Sequence, residues 1–180
     1  MDQEQEKLLG EERRTTILKW LQEADEPLTG SELAKKTNVS RQVIVQDISL
    51  LKAKNEPILA TARGYLYFKK GQKEQCVQVI ACQHNEARTE EELNLLVDHG
   101  VRVKDVIVEH PVYGEITASL MLENRRDVQL FMKKIKGTKA SLLSALTEGI
   151  HLHTIEAGSE EKLSDACIAL KEAGLLVNQD

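Results

Sequence analysis

Residues 29–51 read TGSELAKKTNVSRQVIVQDISLL, a stretch typical of two helices joined by a tight turn. Its first four residues have the form of a capping box, in which the threonine oxygen accepts a backbone N–H and the glutamate reaches back to the cap. Asn38 suits a left-handed residue in the turn, and Ser40 can cap a second helix that runs to about Lys54. This pattern predicts a helix-turn-helix, whose second helix enters the major groove of DNA.

The second of these helices has one apolar and one polar face. Ile44, Ile48 and Leu51 recur at helical spacing, so we expect them to face the core. Arginine and glutamine on the opposite stripe can read base edges, and short hydroxyl side chains near the caps suit phosphates. With one arginine from the segment that follows, the candidate DNA-binding residues are Thr29, Ser31, Ser40, Arg41, Gln42, Gln46 and Arg63.

The segment after the helices and the local charge agree with this interpretation. Residues 57–68, PILATARGYLYF, resemble two short strands around an Ala-Arg-Gly tip, as in a winged helix with Arg63 as the cation. Residues 27–70 carry eight basic and three acidic side chains, although the net charge of the whole chain is −5. A basic segment can attract a polyanion locally whatever the total charge is. The alternative is a structural helical hairpin whose polar stripe faces water, and we favour DNA binding.

Composition limits the protein classes that remain. With 180 residues, 41% of them hydrophobic and 29% charged, the chain can bury one core or two small ones. No apolar stretch approaches the roughly 18 residues of a membrane span, and the acidic N-terminus is not a secretory signal. Three cysteines without a CxxC pair favour a reducing compartment, so we expect a cytoplasmic protein. The charged residues 69–74 predict a boundary between a DNA-binding domain over 1–70 and a second domain over 75–180.

The second half alternates between strand-like and helix-like patterns. Residues 142–155 are expected to hold one or two strands broken at Glu148-Gly149. The other strands are predicted over residues 76–82, 101–109 and 112–122, and the helices over residues 88–99, 125–136 and 160–173. We therefore expect an α+β fold, in which a winged helix-turn-helix precedes an α+β sandwich whose antiparallel sheet is covered by helices.

All five histidines lie between residues 84 and 153. His151 and His153 are separated by one residue on a predicted strand, so both rings point to the same face. His84 ends an earlier strand, and Glu90-Glu91-Glu92 begin the helix after it. Imidazole nitrogens and a carboxylate are ligands that borderline divalent metals prefer, with Cys82 as a lesser candidate donor. The alternative is a solvent-facing histidine pair and an acidic helical turn favoured by the helix dipole.

Enzyme signatures are mostly missing from the sequence. It contains no GxSxG elbow, P-loop, GxGxxG or HExxH motif. His84-Asn85-Glu86 matches the His-x-Glu half of a zinc deaminase, but the Pro-Cys-x-x-Cys half is absent. The sequence therefore favours a protein that is not an enzyme.

Four stretches together resemble one known family. SRQVIVQDI at residues 40–48, RGY at 63–65, HPVYG at 110–114 and GIHLHT at 149–154 are similar to the niacin-responsive repressors. These bacterial regulators join an N-terminal helix-turn-helix to a three-histidine (3H) domain. The resemblance covers nearly the whole chain, and its two C-terminal stretches are the specific ones.

The resemblance implies a repressor of genes for NAD synthesis or niacin uptake, with nicotinic acid as corepressor. It implies a divalent transition metal of the Zn, Ni or Fe class, held by His84, Glu92, His151 and His153. We expect a homodimer that matches a two-fold operator in double-stranded DNA. Tyr113 and Arg102 are candidates for recognising the ligand ring.

Two other functions stay open at this point. The protein could sense the metal itself, with no organic effector. It could also be a metal-dependent enzyme with a fused DNA-binding domain, although the sequence places no general base beside the metal ligands.

Overall fold

The computed structural model describes residues 9–68 and 75–177, and it divides the chain into two compact units, Met1–Gln72 and Lys73–Asp180. Among the described residues, no helix is long and apolar enough to cross a membrane.

The first unit contains three helices and a two-stranded hairpin. Helices α1, α2 and α3 span Gly10–Glu23, Gly30–Thr37 and Arg41–Ala53, and the antiparallel strands β1 and β2 span Ile58–Thr61 and Gly64–Tyr67. The predicted inward stripe of α3 is buried against α1, where Ile17 and Leu21 are the innermost side chains.

Local signals set the geometry of the turn between α2 and α3. The Thr29 side chain accepts the N–H of Glu32 at 3.1 Å, and the Glu32 carboxylate accepts the N–H of Thr29 at 2.7 Å. Asn38 is left-handed with φ 50°, and the Ser40 hydroxyl accepts the N–H of Val43 at 3.3 Å. The predicted capping box, left-handed turn and second cap are confirmed.

A buried ion pair that the sequence did not predict joins α1 to α3. Arg13 donates to the Asp47 carboxylate through Nε at 2.6 Å and through Nη2 at 3.2 Å. Both residues are buried. Because two parallel hydrogen bonds fix direction as well as distance, this pair orients α3 on α1.

The second unit is a four-stranded antiparallel sheet with helices on one face, so the predicted α+β fold is confirmed. Strands β3 to β6 span Cys76–Gln83, Arg102–His110, Gly114–Leu122 and Ile150–Ala157, and the sheet order is β3-β6-β4-β5. Helices α4, α5 and α6 span Thr89–Asp98, Arg125–Thr138 and Glu160–Glu172. Helix α4 packs on β4, α6 packs on β3 and β6, and α5 packs on α4.

Residues 142–155 hold one strand rather than two, and this strand starts after the predicted break at Glu148-Gly149. Leu143–Thr147 form a 3₁₀ turn, and the strand begins at Ile150. Glu148 and Gly149 are both left-handed, with φ 52° and 91°, which ends the turn and reverses the chain into β6. Leu142 and Ser144 are buried, so packing holds this segment in its short helical turn.

Candidate metal centre

Three histidines surround the carboxylate of Glu92 in the interior of the second unit. The Nε2 atoms of His84, His151 and His153 lie 2.8, 3.2 and 3.5 Å from the nearest Glu92 oxygens. All four residues are buried, and Glu92 is completely inaccessible. The structure therefore brings together the four residues that the resemblance indicates as metal ligands.

Secondary structure explains why these side chains meet. His151 and His153 alternate along β6 and point to the face that the helices cover, as the period of a strand requires. His84 follows the end of β3, which pairs with the start of β6. Glu92 lies in the first turns of α4, four residues before the buried Leu96, and so it faces the sheet.

Gly149 allows β6 to start close to His84. A Cβ atom at this position would lie closer than 3.0 Å to the carbonyl oxygen of His84, a separation that Cβ atoms essentially never show. The carbonyl of Gly149 accepts the N–H of His84 at 3.3 Å and lies 3.0 Å from Nδ1 of His151. One peptide unit thus positions two of the three histidines.

The second nitrogen of each ring is held by a backbone carbonyl. Nδ1 of His84, His151 and His153 lies 2.8, 3.0 and 2.6 Å from the carbonyl oxygens of Asn85, Gly149 and Asp105. If each Nδ1 donates its proton to that oxygen, the Nε2 lone pair is available for a metal. Backbone carbonyls commonly orient ligand histidines in this way.

Asp105 lies where the pairing of β4 with β6 is irregular. Its side chain accepts the N–H of Thr154 at 2.8 Å, while its carbonyl faces His153. The irregularity therefore turns a main-chain acceptor toward a cluster histidine. The role of Asp105 could not be predicted from the sequence, because the local pattern of β4 carries no sign of the irregularity.

The electrostatics of the cluster favour positive charge around Glu92. Burial alone would raise the pKa of Glu92, but the charge of His153 and the polar contacts of the histidines lower that pKa well below its ordinary value. Burial would lower the pKa of His84 and of His153, yet the adjacent carboxylate raises both. Protons or a cation can supply the charge that the carboxylate attracts.

The donor atoms fit a metal ion. Nε2 of His84 and of His153 are buried and make no well-oriented hydrogen bond to any residue that the structure describes. Ligand atoms of a tetrahedral zinc site lie about 3.4 Å apart, because each bond is roughly 2.1 Å long. The distances from the histidine nitrogens to the carboxylate are close to that separation. Three imidazoles and one carboxylate are a donor set for Zn, Ni or Fe.

Cys82 lies at the border of this cluster. Its sulfur and donor atoms of Glu92 and His151 all lie within 4.8 Å of one another. Burial, followed by the charge of Glu92, raises the pKa of the Cys82 thiol. The thiol is therefore protonated in the metal-free protein, and it would bind a metal only after losing that proton.

A cavity of about 170 Å³ lies beside the cluster. Side chains of β4, β5 and α5 form its apolar walls, among them Val106, Ala118, Leu120, Phe131 and Ile135. Its polar members are Thr89, Ser141 and Ser144 together with Glu92, His151 and His153. Among the described residues that line it, there is no lysine or arginine.

The two residues predicted to recognise the ligand ring do not line this cavity. Arg102 binds Glu156 at 2.6 Å and Glu123 at 2.7 Å. Tyr113 is 78% exposed in the turn between β4 and β5, where it stacks near His110. Both residues therefore lie outside the cavity that adjoins the histidine cluster. The sequence could not reveal this cavity, because its walls come from segments that are distant in the chain.

Most candidate DNA-binding residues are accessible on α3 and at the helix caps. The exposed candidates on α3 are Arg41, Gln42 and Gln46. Two serines near the helix starts are also exposed, Ser31 in α2 and Ser40 at the cap of α3. Thr29 is partly buried, and its hydroxyl caps α2.

Arg63 differs from its neighbours in this set. It forms an ion pair with Glu26, and only 18% of its side chain is exposed. The expected cation at the tip of the wing therefore has a carboxylate partner within the same unit.

Comparison with known proteins gives matches over both units. The sequence profile of the 3H domain matches residues 77–179, and that of a helix-turn-helix (HTH) domain matches residues 13–66. The chain is 57% identical over 176 residues to the transcription repressor NadR of Bacillus subtilis, which covers 97% of this chain and 98% of that protein. It is 39% identical over 173 residues to the probable transcription repressor NiaR of Thermotoga maritima, covering 96% and 98%.

Proposed function

The chain belongs to the 3H-domain family and is a transcription repressor of the NadR/NiaR type, and from this premise we propose that nicotinic acid is its corepressor. The genes that it represses would be those of NAD biosynthesis or niacin uptake. The observation that carries this proposal is the small apolar cavity next to the three-histidine cluster. The HTH domain implies DNA binding, and the relatives are named as repressors rather than enzymes.

A divalent transition metal of the Zn, Ni or Fe class would be held by His84, Glu92, His151 and His153. The fixed orientation of the three rings and the buried Nε2 atoms support this assignment. When bound, the metal would supply positive charge and Lewis acidity beside the cavity.

The size of the cavity favours a ligand with a single ring. An apolar cavity of about 150 Å³ holds benzene, so a volume of about 170 Å³ suits one pyridine ring with a small substituent. A dinucleotide such as NAD is far larger than this volume. Phe131 and the aliphatic walls would pack on the ring, because apolar surface favours a flat aromatic group.

The carboxylate of nicotinic acid needs a partner in this apolar space. Burying an ionised carboxylate without compensation is unfavourable, and no lysine or arginine is among the described lining residues. The charge would therefore come from the metal site, and the hydroxyl side chains of the wall would add hydrogen bonds. Nicotinate binding should depend on metal for this reason, and neutral nicotinamide should bind less tightly.

DNA binding would use a homodimer and α3. We propose that Arg41, Gln42 and Gln46 face the major groove of each half-site, with hydroxyl groups of Thr29, Ser31 and Ser40 and the wing residue Arg63 near phosphates. A dimer with a two-fold axis matches an operator with two-fold symmetry. Nicotinate would favour the arrangement of the two chains that binds both half-sites, which is a shift between existing populations.

A cavity-filling variant tests the ligand site apart from the metal site. Ala118→Leu adds bulk to the cavity wall and changes none of the proposed ligands. It should abolish nicotinate binding in calorimetry while metal content stays at the wild-type level. Leu130→Met, at an exposed position of α5 outside the cavity, is the control and should bind both.

The outcomes separate the proposed function from its alternative. If nicotinate stabilises the wild-type protein only when metal is bound, the result supports nicotinic acid as corepressor. Metal that tightens operator binding without any effect of nicotinate would instead make the protein a metal-sensing regulator. Unchanged nicotinate affinity in Ala118→Leu would move the ligand away from this cavity.

A further inference from the structure

β3 is an edge strand, and one half of its outer edge is already paired. The N–H of Gln83 donates to the carbonyl of Leu175 at 2.9 Å, and the N–H of Val177 donates to the carbonyl of Ala81 at 3.0 Å. The segment after α6 therefore covers the edge from Ala81 to Gln83. Backbone groups of alternate residues point to the same side of a strand, so those of Val77 and Val79 point to this edge as well.

The other half of the edge is open in the part of the chain that the structure describes. Among the described residues, Val77 and Val79 have no strand partner on that side, and their side chains are 54% and 56% exposed. The stretch Cys76-Val77-Gln78-Val79 contains no charge, proline or bulge, which are the features that keep natural edges from pairing. An apolar edge without such protection indicates that another strand covers it.

Helix α6 extends this surface beside the edge. Its residues Glu160, Ser164 and Cys167 line a groove with the start of β3, and Lys171 follows at helical spacing. Neither Glu160 nor Lys171 is a member of any ion pair between described residues. If two copies of α6 met in antiparallel orientation, the acidic start of each would lie beside the basic end of the other. Ile168, which is 53% exposed, would lie next to this contact.

We propose that the open half of β3 pairs with β3 of a second copy of the chain, about a two-fold axis beside Gln78. In this register Val77 of one copy lies opposite Val79 of the other, and the backbone groups of both residues gain partners in four hydrogen bonds. The two sheets become one sheet of eight strands, and the two copies of α6 become antiparallel neighbours. The contact is isologous, as a closed dimer requires. This inference rests on the homodimer of the proposed function and assigns its surface.

The register makes a cross-linking prediction. The two copies of Gln78 would be directly opposite in a non-hydrogen-bonded pair, with Cα atoms about 4.5 Å apart, which lies within the range of a disulfide. In a background with Cys76→Ser and Cys167→Ser, Gln78→Cys should form a covalent dimer under oxidised glutathione. Val112→Cys, at a 78% exposed site in the turn between β4 and β5, is the control and should stay monomeric on a non-reducing gel. Equal cross-linking of both variants would overturn the proposal.

Sedimentation of the full chain tests the same surface without a disulfide. Val77→Lys combined with Val79→Lys should raise the dissociation constant of the dimer at least about ten-fold, because four lysines would face one another. Val112→Lys should leave it unchanged, and metal content reports whether each variant is folded. A dimer that tolerates the two lysines would overturn this interface alone. A wild-type chain that is monomeric at every concentration would overturn the interface and the proposed homodimer together.

A variant truncated after Val177 tests whether the open half of β3 is covered by a second copy or by residues 178–180 of the same chain. If a second copy occupies the edge, Gln78→Cys cross-links with or without residues 178–180. If those residues occupy the edge instead, the cross-link would form only after truncation, and that result would overturn the proposal.

Discussion

Gly149→Ala should weaken metal binding about 10–100-fold, the effect typical of losing a group that orients a metal ligand. The position has φ 91°, and a Cβ atom there would overlap the carbonyl oxygen of His84. The same residue's carbonyl holds the N–H of His84 and faces Nδ1 of His151. The substitution therefore acts on two histidines of the cluster without removing any donor atom.

Two effects of this substitution can be separated in magnitude. A left-handed backbone costs an alanine roughly 1–2 kcal/mol, and this cost applies equally at Gly114, where φ is 72°. The overlap exists only at Gly149, because nothing lies within 4 Å of a Cβ built at Gly114. Relieving it must move His84 by several tenths of an ångström, whereas metal–ligand distances tolerate about 0.2 Å. The loss in metal affinity corresponds to about 1.4–2.8 kcal/mol.

Competition with a coloured chelator measures the metal affinity, and chemical denaturation measures stability. Both alanine variants should lose some stability, but only Gly149→Ala should lose metal affinity, with His84→Ala as the reference for a missing ligand. If Gly149→Ala and Gly114→Ala bound metal equally well, the close approach of β6 to His84 would have no role in building the site.

Three further predictions concern the buried ion pair, helix α3 and the pH dependence of the metal site. Asp47→Ala should lower the free energy of unfolding by about 3 kcal/mol, because it removes the carboxylate that compensates the buried Arg13 guanidinium. A denaturant titration measures this loss, and a value below about 1 kcal/mol would contradict the prediction. If Arg41 reads a base, Arg41→Ala should weaken operator binding by about 1–3 kcal/mol; if it holds a phosphate, the slope of log affinity against log salt concentration should fall by about one. Fluorescence anisotropy at several salt concentrations measures both quantities, and both roles would be rejected if neither quantity changed. Metal affinity should fall as the pH falls, because protons compete with the metal for His84 and His153. Burial alone would lower the pKa of both histidines, but the nearby carboxylate raises both above the usual value of about 6.5. A flat affinity between about pH 8 and pH 6 would contradict this competition.

The helix-turn-helix could be predicted because its signals are local. Thr29, Glu32, Asn38 and Ser40 act on neighbours within four residues, and the structure confirms each of these caps and turns. The ion pair of Arg13 with Asp47 joins residues far apart in the chain, and nothing in the local pattern indicates that both would be buried.

Part of the histidine cluster could also be predicted from local patterns. The period of a strand places His151 and His153 on one face, and the structure buries both of them there. The resemblance indicates which of the three glutamates faces them, and helical spacing contains the same information. Glu92 lies four residues before the buried Leu96, whereas Glu90 and Glu91 lie toward cations outside the core.

The surroundings of the cluster could not be predicted from the sequence. The carbonyl of Asp105 reaches His153 only because the β4–β6 pairing is irregular, and the cavity is enclosed by segments from α4 to β6. Tyr113 and Arg102 are the kinds of residue that bind an aromatic acid, yet Arg102 is engaged by two glutamates and Tyr113 lies in an exposed turn. Residue type alone does not tell which side chains surround a cavity built from distant segments.

The most direct test of the proposed function is the affinity of nicotinate for metal-loaded protein, measured by calorimetry with and without operator DNA. Because coupling between two ligands is reciprocal, operator should tighten nicotinate binding by the same factor by which nicotinate tightens operator binding, about 5–150-fold for a typical switch. The metal-free protein should bind nicotinate weakly or not at all. Equal nicotinate affinities with and without operator would contradict the corepressor function.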